Sequence, residues 1–281
     1  MTGFARPRVV LSRCLELDQV RYDGERIAYG FVLELEPHVD LVPICPEVEI
    51  GLGVPRDPIR LVEEGGGIRL VQPSTGRDLT SEMETFADGF LGGATSVDGF
   101  LLKNRSPSCG IRDVRRYRPD GEPSSSGKGR GLFGEAVLDR FGHLAVEDEG
   151  RLRNSRIREH FLTKLFALAA LREVEEAGSL RDLIDFHARY KFVLMAYSQK
   201  GLGGLDRLVA EGSRKPFAEL VAEYRIEFGA VLRQPPRRAS VIHVLDHAAG
   251  YFKELLGRRQ EAMFFPEALM SVPDSGKGRQ P

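Results

Sequence analysis

Three short apolar runs, each leading into a loop with a cysteine, most strongly constrain how this chain can fold. The runs are residues 9–11, 41–44 and 97–102, and they lead into Cys14, Cys45 and Cys109. Short apolar runs closed by turn residues are typical of buried strands. In a mostly parallel sheet the loops at the carboxyl ends of the strands share one edge, where ligands bind. The pattern therefore predicts that the three thiols meet at one site.

The periodicity changes near residue 151, and this change predicts two domains. Before it, residues 59–62 and 68–71 alternate like a β-hairpin, residues 78–91 and 132–141 favour helices, and the polar residues 119–131 suggest a mobile loop. After it, apolar residues recur at helical spacing, with Gly and Pro between the segments 157–176, 180–198, 205–211, 216–232 and 240–258. We predict an α/β, Rossmann-like, mostly parallel sheet domain over 1–150, followed by an all-α helical domain over 151–281.

Composition and segment lengths suggest a cytoplasmic protein without a membrane partner. Hydrophobic residues make up 42% and charged residues 29%, which is ordinary for a globular chain. Residues 1–8 lack the apolar region of a signal peptide, and the longest helical apolar run, 166–171, is too short to span a bilayer. Three cysteines are an odd number, which does not suggest a disulfide framework.

Charge is distributed unevenly between the two predicted domains. Residues 151–281 contain 22 Lys and Arg against 16 Asp and Glu, whereas residues 1–150 contain 18 against 25. A basic module is a common electrostatic signature of nucleic-acid binding. A solvated basic face without a partner is the alternative that composition leaves open.

The residue types near the three cysteines indicate a metal-dependent reaction. Converging thiols favour a soft metal or an iron–sulfur cluster, and three ligands leave a coordination position open for chemistry. Glu47 shares the loop of Cys45 and is a candidate general acid or base. Ser106 and Ser108 precede Cys109 and offer hydroxyl groups. The alternatives are three buried apolar cysteines, an exposed carboxylate and ordinary turn serines.

Four motifs in order resemble the thiouracil desulfidase family over residues 7–150. They are Ser12-Arg13-Cys14-Leu15, Arg21-Tyr22-Asp23-Gly24, Cys45-Pro46-Glu47 and Leu102-Lys103-Asn104-Arg105-Ser106-Pro107-Ser108-Cys109-Gly110. The second half, around residues 187–196 and 244–253, is similar to the helical domain fused to the tRNA 4-thiouridine desulfidase branch of that family.

The resemblance implies a 4Fe–4S cluster held by Cys14, Cys45 and Cys109, with one iron open. Val20 stands where many stand-alone members of the family have a further cysteine, so the ligand set that the resemblance implies has three members. The implied catalytic groups are Glu47 and one serine, with Ser106 favoured over Ser108. Four further residues are assigned to the substrate: Ser12, Asp23, Lys103 and Arg105.

The implied reaction removes sulfur from a thiolated uracil by hydrolysis without redox change, giving uridine and sulfide. The branch favours 4-thiouridine in tRNA as substrate, with a free thiouracil as the small-molecule alternative. Six residues of the second half are assigned to RNA contacts: His187, Arg189, Lys191, Arg237, Arg238 and Lys253.

Two other functions are compatible with these features. Cluster-dependent tRNA thiolation is one, although it usually activates the base with ATP and the chain has no recognisable nucleotide-binding loop. A non-catalytic, metal-bearing RNA-binding protein is the other. The sequence leaves the oligomeric state open.

Overall fold

A computed structural model describes residues 4–250 of the chain, apart from the side chains of residues 125 and 126. The chain divides into two compact units, Met1–Glu173 and Val174–Pro281. Their fold confirms the predicted class, an α/β unit with a parallel sheet followed by a helical unit. The predicted domain boundary after residue 150 remains a prediction.

The first unit contains all the strands found in the described residues. They are β1 (Arg8–Ser12), β2 (Asp40–Ile44), β3 (Arg60–Glu64), β4 (Gly67–Gln72), β5 (Arg77–Asp78), β6 (Gly99–Leu102), β7 (Val114–Tyr117), β8 (Pro123–Gly129) and β9 (Ala145–Asp148). Its helices are α1 (Gly30–Leu35), α2 (Pro46–Glu49), α3 (Thr80–Gly93), α4 (Leu132–Phe141) and most of α5 (Ser155–Ala177).

Four strands form a parallel sheet in the order β2-β1-β6-β9. The three apolar runs of the sequence supply β1, β2 and β6, so the predicted strands are confirmed. Every residue of β6 and most of β1 are buried, as expected for strands covered on both faces. Because β1 lies between β2 and β6, the loops after these three strands are neighbours.

The other five strands form a mixed sheet in the order β5-β4-β3-β7-β8. The predicted hairpin is confirmed, since β3 and β4 pair antiparallel. The prediction of a mobile loop over 119–131 was wrong, because β8 lies within it and pairs antiparallel with β7. A polar, glycine-rich strand has little apolar pattern to reveal it, and backbone hydrogen bonds to a partner strand define it instead.

The hydrophobic core of the first unit lies between the parallel sheet and its helices. Side chains of β1 pack with residues of α1 and α5, including Val32, Phe161 and Leu165. A buried ion pair accompanies this packing. The Arg172 guanidinium on α5 donates to the Asp98 carboxylate, with the closest contact at 3.1 Å, and Asp98 also accepts from the backbone nitrogen of Arg8 at 2.9 Å.

The second unit contains only helices in the part of the chain that the structure describes. They are the end of α5, α6 (Leu180–Tyr197), α7 (Gln199–Ala210), α8 (Phe217–Val231) and α9 (Arg238–Gly250). The helix α7 begins earlier than the predicted residue 205 and runs through Gly201, Gly203 and Gly204. A Cβ at Gly201 would lie 2.4 Å from a Val231 methyl group, so glycine permits close packing against the end of α8.

No helix within residues 4–250 combines the length and the apolar content needed to cross a bilayer.

The core of the second unit is aromatic. Phe186 on α6 contacts Tyr224 and Phe228 on α8, with ring centroids 6.1 and 5.3 Å apart. The apolar residues that recur at helical spacing in this part of the sequence therefore include those that pack between α6 and α8.

We expect Asp98→Ala to lower the free energy of unfolding by about 3–5 kcal/mol. The substitution leaves the buried Arg172 guanidinium without its carboxylate, and removing one partner of a buried pair costs that order of energy. Urea unfolding followed by circular dichroism measures the change. Glu64→Ala is the control, because its ion pair with Arg69 is about half exposed and contributes at most about 1 kcal/mol. Equal losses in the two variants would contradict this view of the core.

Candidate active site

A cavity of about 420 Å³ opens at the carboxyl ends of β1, β2 and β6. Cys14, Cys45 and Cys109 all line it, each in the loop that follows one of these strands. The structure thus brings together the three thiols that the strand-end argument placed at one edge of the sheet. The remaining lining residues are Ser12, Val20, Arg21, Tyr22, Ile44, Pro46, Glu47, Arg56, Pro58, Ile59, Lys103, Asn104, Arg105, Ser106 and Pro107.

The three thiols are held in surroundings that oppose the free thiolate. Burial, together with the neighbouring Cys45 thiol, raises the pKa of Cys14 to about 12. Burial also raises the pKa of Cys45, and it raises that of Cys109 well above the usual range despite a hydrogen bond from Ser12. Positive charge from a bound metal group would be needed to keep all three ionised.

The donor set fits an iron–sulfur cluster. The thiolates that hold a cluster bind different iron atoms, so they need to surround one shared cavity and need not converge on a single point. Cys45 and Cys109 are buried, Cys14 is partly exposed, and all three are free thiols. Within residues 4–250, no group of three His, Cys, Asp or Glu is arranged to hold a single metal ion.

Glu47 lies two residues after Cys45, in the first turn of α2, and forms an ion pair with an arginine. Arg56 donates to Oε2 of Glu47 through Nε at 2.9 Å and through Nη2 at 2.7 Å. Its Nη1 donates to the carbonyl oxygens of Val20 and Gly53, both at 3.0 Å. The two side chains are only 4% and 14% exposed, so Arg56 fixes the carboxylate in a largely desolvated place.

The second carboxylate oxygen of Glu47 faces the loop of residues 103–110, here called the serine loop. Oε1 of Glu47 accepts from the Ser108 hydroxyl at 3.0 Å and lies 3.4 Å from that of Ser106. The Ser106 oxygen already accepts from the backbone nitrogens of Ser108 and Cys109, each at 3.1 Å. Ser106 lines the cavity, whereas Ser108 is fully buried and outside its lining, so the choice of Ser106 as the catalytic serine remains a prediction.

Two of the residues assigned to the substrate have structural partners in this edge of the cavity. The Ser12 hydroxyl accepts a hydrogen bond from the backbone nitrogen of Lys103 at 2.9 Å and forms another with the Cys109 sulfur. The Lys103 ammonium donates to Glu149 at 2.6 Å and to the carbonyl and side-chain oxygens of Asn104. Both Ser12 and Lys103 line the cavity, but their polar groups already hold the loop in place.

The other two residues assigned to the substrate lie in different places. Arg105 is exposed at the mouth of the cavity and has φ of 53°, a left-handed conformation that is costly for a non-glycine residue and is concentrated at functional sites. Asp23 is outside the lining; it pairs with Arg21 at 3.0 Å and accepts from the backbone nitrogen of Glu25. Its role toward substrate remains a prediction.

The six residues assigned to RNA contacts do not share one environment. His187 is buried, with its ring nitrogens 2.9 Å from the Tyr224 hydroxyl and 2.8 Å from Asp206, so its position suits packing and not a surface contact. Lys253 lies outside the described residues. The remaining four, Arg189, Lys191, Arg237 and Arg238, are exposed, and their RNA contacts remain predictions.

Sequence reasoning missed Arg56 and Glu149. Arg56 stands in a Gly- and Pro-rich loop, where one cation has no pattern to distinguish it. Glu149 follows β9, a strand that was not predicted, so the strand-end argument that found the cysteines could have found it too.

Two family models match the chain. The model described as 2-thiouracil desulfurase matches residues 9–149, just over half of the chain. A model of a protein family of unknown function, DUF1722, matches residues 191–269.

Individual proteins are also similar to this chain. The uncharacterized protein YbgA of Escherichia coli K12 is 32% identical over 129 residues, which are 45% of this chain and 73% of YbgA. The uncharacterized protein YbbK of Bacillus subtilis 168 is 28% identical over 111 residues, covering 36% of this chain and 72% of YbbK. Among solved structures, the [4Fe-4S]-dependent thiouracil desulfidase TudS is 32% identical, with coverage of 53% and 94% and a TM-score of 0.41.

Proposed function

Because the chain belongs to the 2-thiouracil desulfurase family, we propose that it is a desulfidase that removes the sulfur of 4-thiouridine in tRNA by hydrolysis. One observation supports this reaction above all. Three soft thiol donors and a desolvated, arginine-held carboxylate line the same cavity. This arrangement joins a metal-binding group to a candidate proton acceptor, as a hydrolytic reaction at a thiocarbonyl requires.

Cys14, Cys45 and Cys109 would hold a 4Fe–4S cluster, the cofactor that the sequence resemblance implies. When bound, such a cluster supplies an iron with an open position, a soft Lewis acid suited to a thiocarbonyl sulfur. Ser12 positions Cys109 through its hydrogen bond, and the ladder of β1 with β2 and β6 fixes the three loops relative to one another.

Glu47 would accept the proton of the attacking water at Oε1. Arg56 occupies Oε2, so the carboxylate cannot rotate freely and Oε1 stays directed at the serine loop. The Ser106 hydroxyl lines the cavity 3.4 Å from Oε1 and can pass a proton between Glu47 and the leaving or ring atoms, while the buried Ser108 hydroxyl holds Oε1 in place at 3.0 Å. The water oxygen forms the new C4–O bond, the C4–S bond breaks, and sulfur leaves as sulfide, so no electrons are exchanged.

The cavity suits a single pyrimidine base. Its volume lies within the range of small-molecule sites, roughly 300–1,000 Å³. Tyr22 and the apolar side chains of Val20, Ile44 and Ile59 provide surfaces for a flat ring, while Glu47 and Ser106 provide polar groups. A base stacked inside tRNA must be extruded to enter, which costs a few kcal/mol.

The predicted helical domain over residues 151–281 supports tRNA as the substrate over a free base. The excess of Lys and Arg in residues 151–281 and the exposure of Arg189, Lys191 and Arg237 provide charge for phosphate contacts. Phosphate contacts supply most of the sequence-independent affinity for nucleic acid and can offset the cost of extruding the base.

We expect the anaerobically reconstituted full-length protein to convert 4-thiouridine in tRNA with a higher kcat/KM than free 4-thiouracil, by about tenfold or more. Phosphate contacts are available only to the tRNA. Loss of the ultraviolet absorption of the thiocarbonyl base, followed at the same enzyme concentration, measures both reactions. A preference for the free base would overturn the tRNA assignment while leaving desulfidation in place.

Replacing Cys14, Cys45 or Cys109 by Ala should remove bound iron and sulfide and abolish turnover. Each thiol would be one of three cluster ligands, so no spare ligand compensates for its loss. Iron and sulfide analysis and the visible absorption spectrum report the cluster independently of activity. Retained desulfidation in all three variants would show that the cysteines only pack.

Glu47→Gln should lower kcat by about 100-fold or more, because general acid–base groups contribute about 10²–10⁴-fold. Ser106→Ala should lower kcat more than Ser108→Ala, because only Ser106 lines the cavity, provided that both variants keep the wild-type cluster spectrum. Single-turnover kinetics with 4-thiouracil measures the step. If Ser108→Ala had the larger effect on kcat with an intact spectrum, the assignment to Ser106 would be wrong.

A further inference from the structure

We infer that one face of the β7–β8 hairpin in the first unit binds the RNA backbone of the substrate beside the cavity. This inference rests on the proposed tRNA desulfidase function and adds a second contact surface to it. The surface, here called the hairpin face, consists of Arg115 on β7, Lys128 near the end of β8 and Arg130 directly after β8.

The hairpin face contains a cross-strand pair of like charges. Arg115 and Lys128 are directly paired in the antiparallel ladder, so their side chains project from the same side of the sheet. Like charges in such positions are destabilising. The fold gains nothing from this pair, whereas a polyanion placed over it would be attracted by both cations.

Arg130 extends the same surface beyond the strand. It lies two residues after Lys128, and alternation along an extended chain places both on one side. Arg115 and Arg130 are exposed, and neither guanidinium has a hydrogen-bond or ion-pair partner among residues 4–250. Two cations of this surface are therefore available to a ligand.

Neutralisation of the hairpin face by protein carboxylates is weak. Lys128 lies 3.7 Å from Asp113, and these side chains are 63% and 54% exposed. Ion pairs this exposed contribute little and are screened by salt. Three cations against one carboxylate leave an excess of positive charge in a unit that is acidic as a whole.

The hairpin face adjoins the loop that carries Cys109. The backbone nitrogen of Gly131 donates to the Gly110 carbonyl at 2.7 Å, and that of Leu132 donates to Pro107 at 3.2 Å. A Cβ at Gly131 would lie 2.5–2.7 Å from the carbonyl oxygens of Ser106, Pro107 and Ser108, so only glycine permits this approach. Arg130 is therefore one residue from direct contact with the cavity wall.

This position suits the phosphates that flank an extruded base. A nucleotide whose base enters the cavity keeps its neighbouring phosphates outside, near the mouth where Arg105 is exposed. The hairpin face adds three cations on the segment that reaches the cavity wall at Gly131. A ribose–phosphate chain is a repeated anion of the kind that matches such a row of cations.

The test compares the full-length, cluster-loaded protein with an Arg115→Ala/Lys128→Ala/Arg130→Ala variant. We expect KM for 4-thiouridine-containing tRNA to rise about tenfold or more, and the slope of log Kd against log salt to fall by about two to three. One lost phosphate contact reduces the slope by about one. Turnover of free 4-thiouracil should stay unchanged, since none of the three residues lines the cavity.

Arg69→Ala/Arg77→Ala is the matched control. These two arginines are about half exposed on β4 and β5, at the opposite edge of the same mixed sheet. The control should keep the wild-type KM and salt slope for tRNA. An Arg115→Lys/Arg130→Lys variant preserves charge and should keep the wild-type slope, which separates charge from local structure.

Each outcome decides a different point. If the wild-type protein desulfurates free 4-thiouracil but not tRNA, the proposed substrate and this inference both fail. If it uses tRNA and the triple Ala variant binds tRNA like the wild type, the hairpin face alone is refuted. An equal fall in free-base and tRNA turnover would also refute it, because a backbone-docking surface acts only on the polymer.

Discussion

The parallel pairing of β1 with β2 on one side and β6 on the other is the constraint on which the site depends. Each strand is short, and each is followed by a loop that contains one cysteine. Three thiols far apart in the sequence thereby reach one cavity without a closely spaced cysteine motif. The sheet positions the metal donors, and the loops only need to be shaped correctly at its edge.

Buried ion pairs shape those loops. Arg56 holds Glu47 from outside the α2 turn, and Glu149 holds Lys103 from the end of β9. Both pairs keep charged groups at defined places near the thiols, where a desolvated group acts more strongly than it would in water. The serine loop connects the two ion pairs, because its Ser108 donates a hydrogen bond to Glu47 and its first residue, Lys103, pairs with Glu149. The candidate chemistry thus depends on contacts between segments that are distant in the chain.

The two units contribute in different ways to a proposed tRNA desulfidase. The first contains the cavity, its thiols and its carboxylate, whereas the second is a helical unit with an aromatic core and exposed basic side chains such as Arg189 and Lys191. His187 belongs to that core, bonded to Tyr224 and Asp206, so its conspicuous place in the motif reflects packing. The hairpin face gives the first unit a basic surface of its own, although its overall composition is acidic.

The sequence by itself determined the strand-end placement of Cys14, Cys45 and Cys109, the proximity of Glu47, and the change from sheet to helices. Apolar runs and helical periodicity are local patterns, and they indicate which residues of each element face a core. Only the tertiary structure decided that Ser108 is buried against Glu47, that Arg56 and Glu149 form ion pairs with Glu47 and Lys103, and that β8 exists. These depend on which polar groups meet across the fold, and polar side chains in loops or on an exposed strand have no periodic pattern that records their partners.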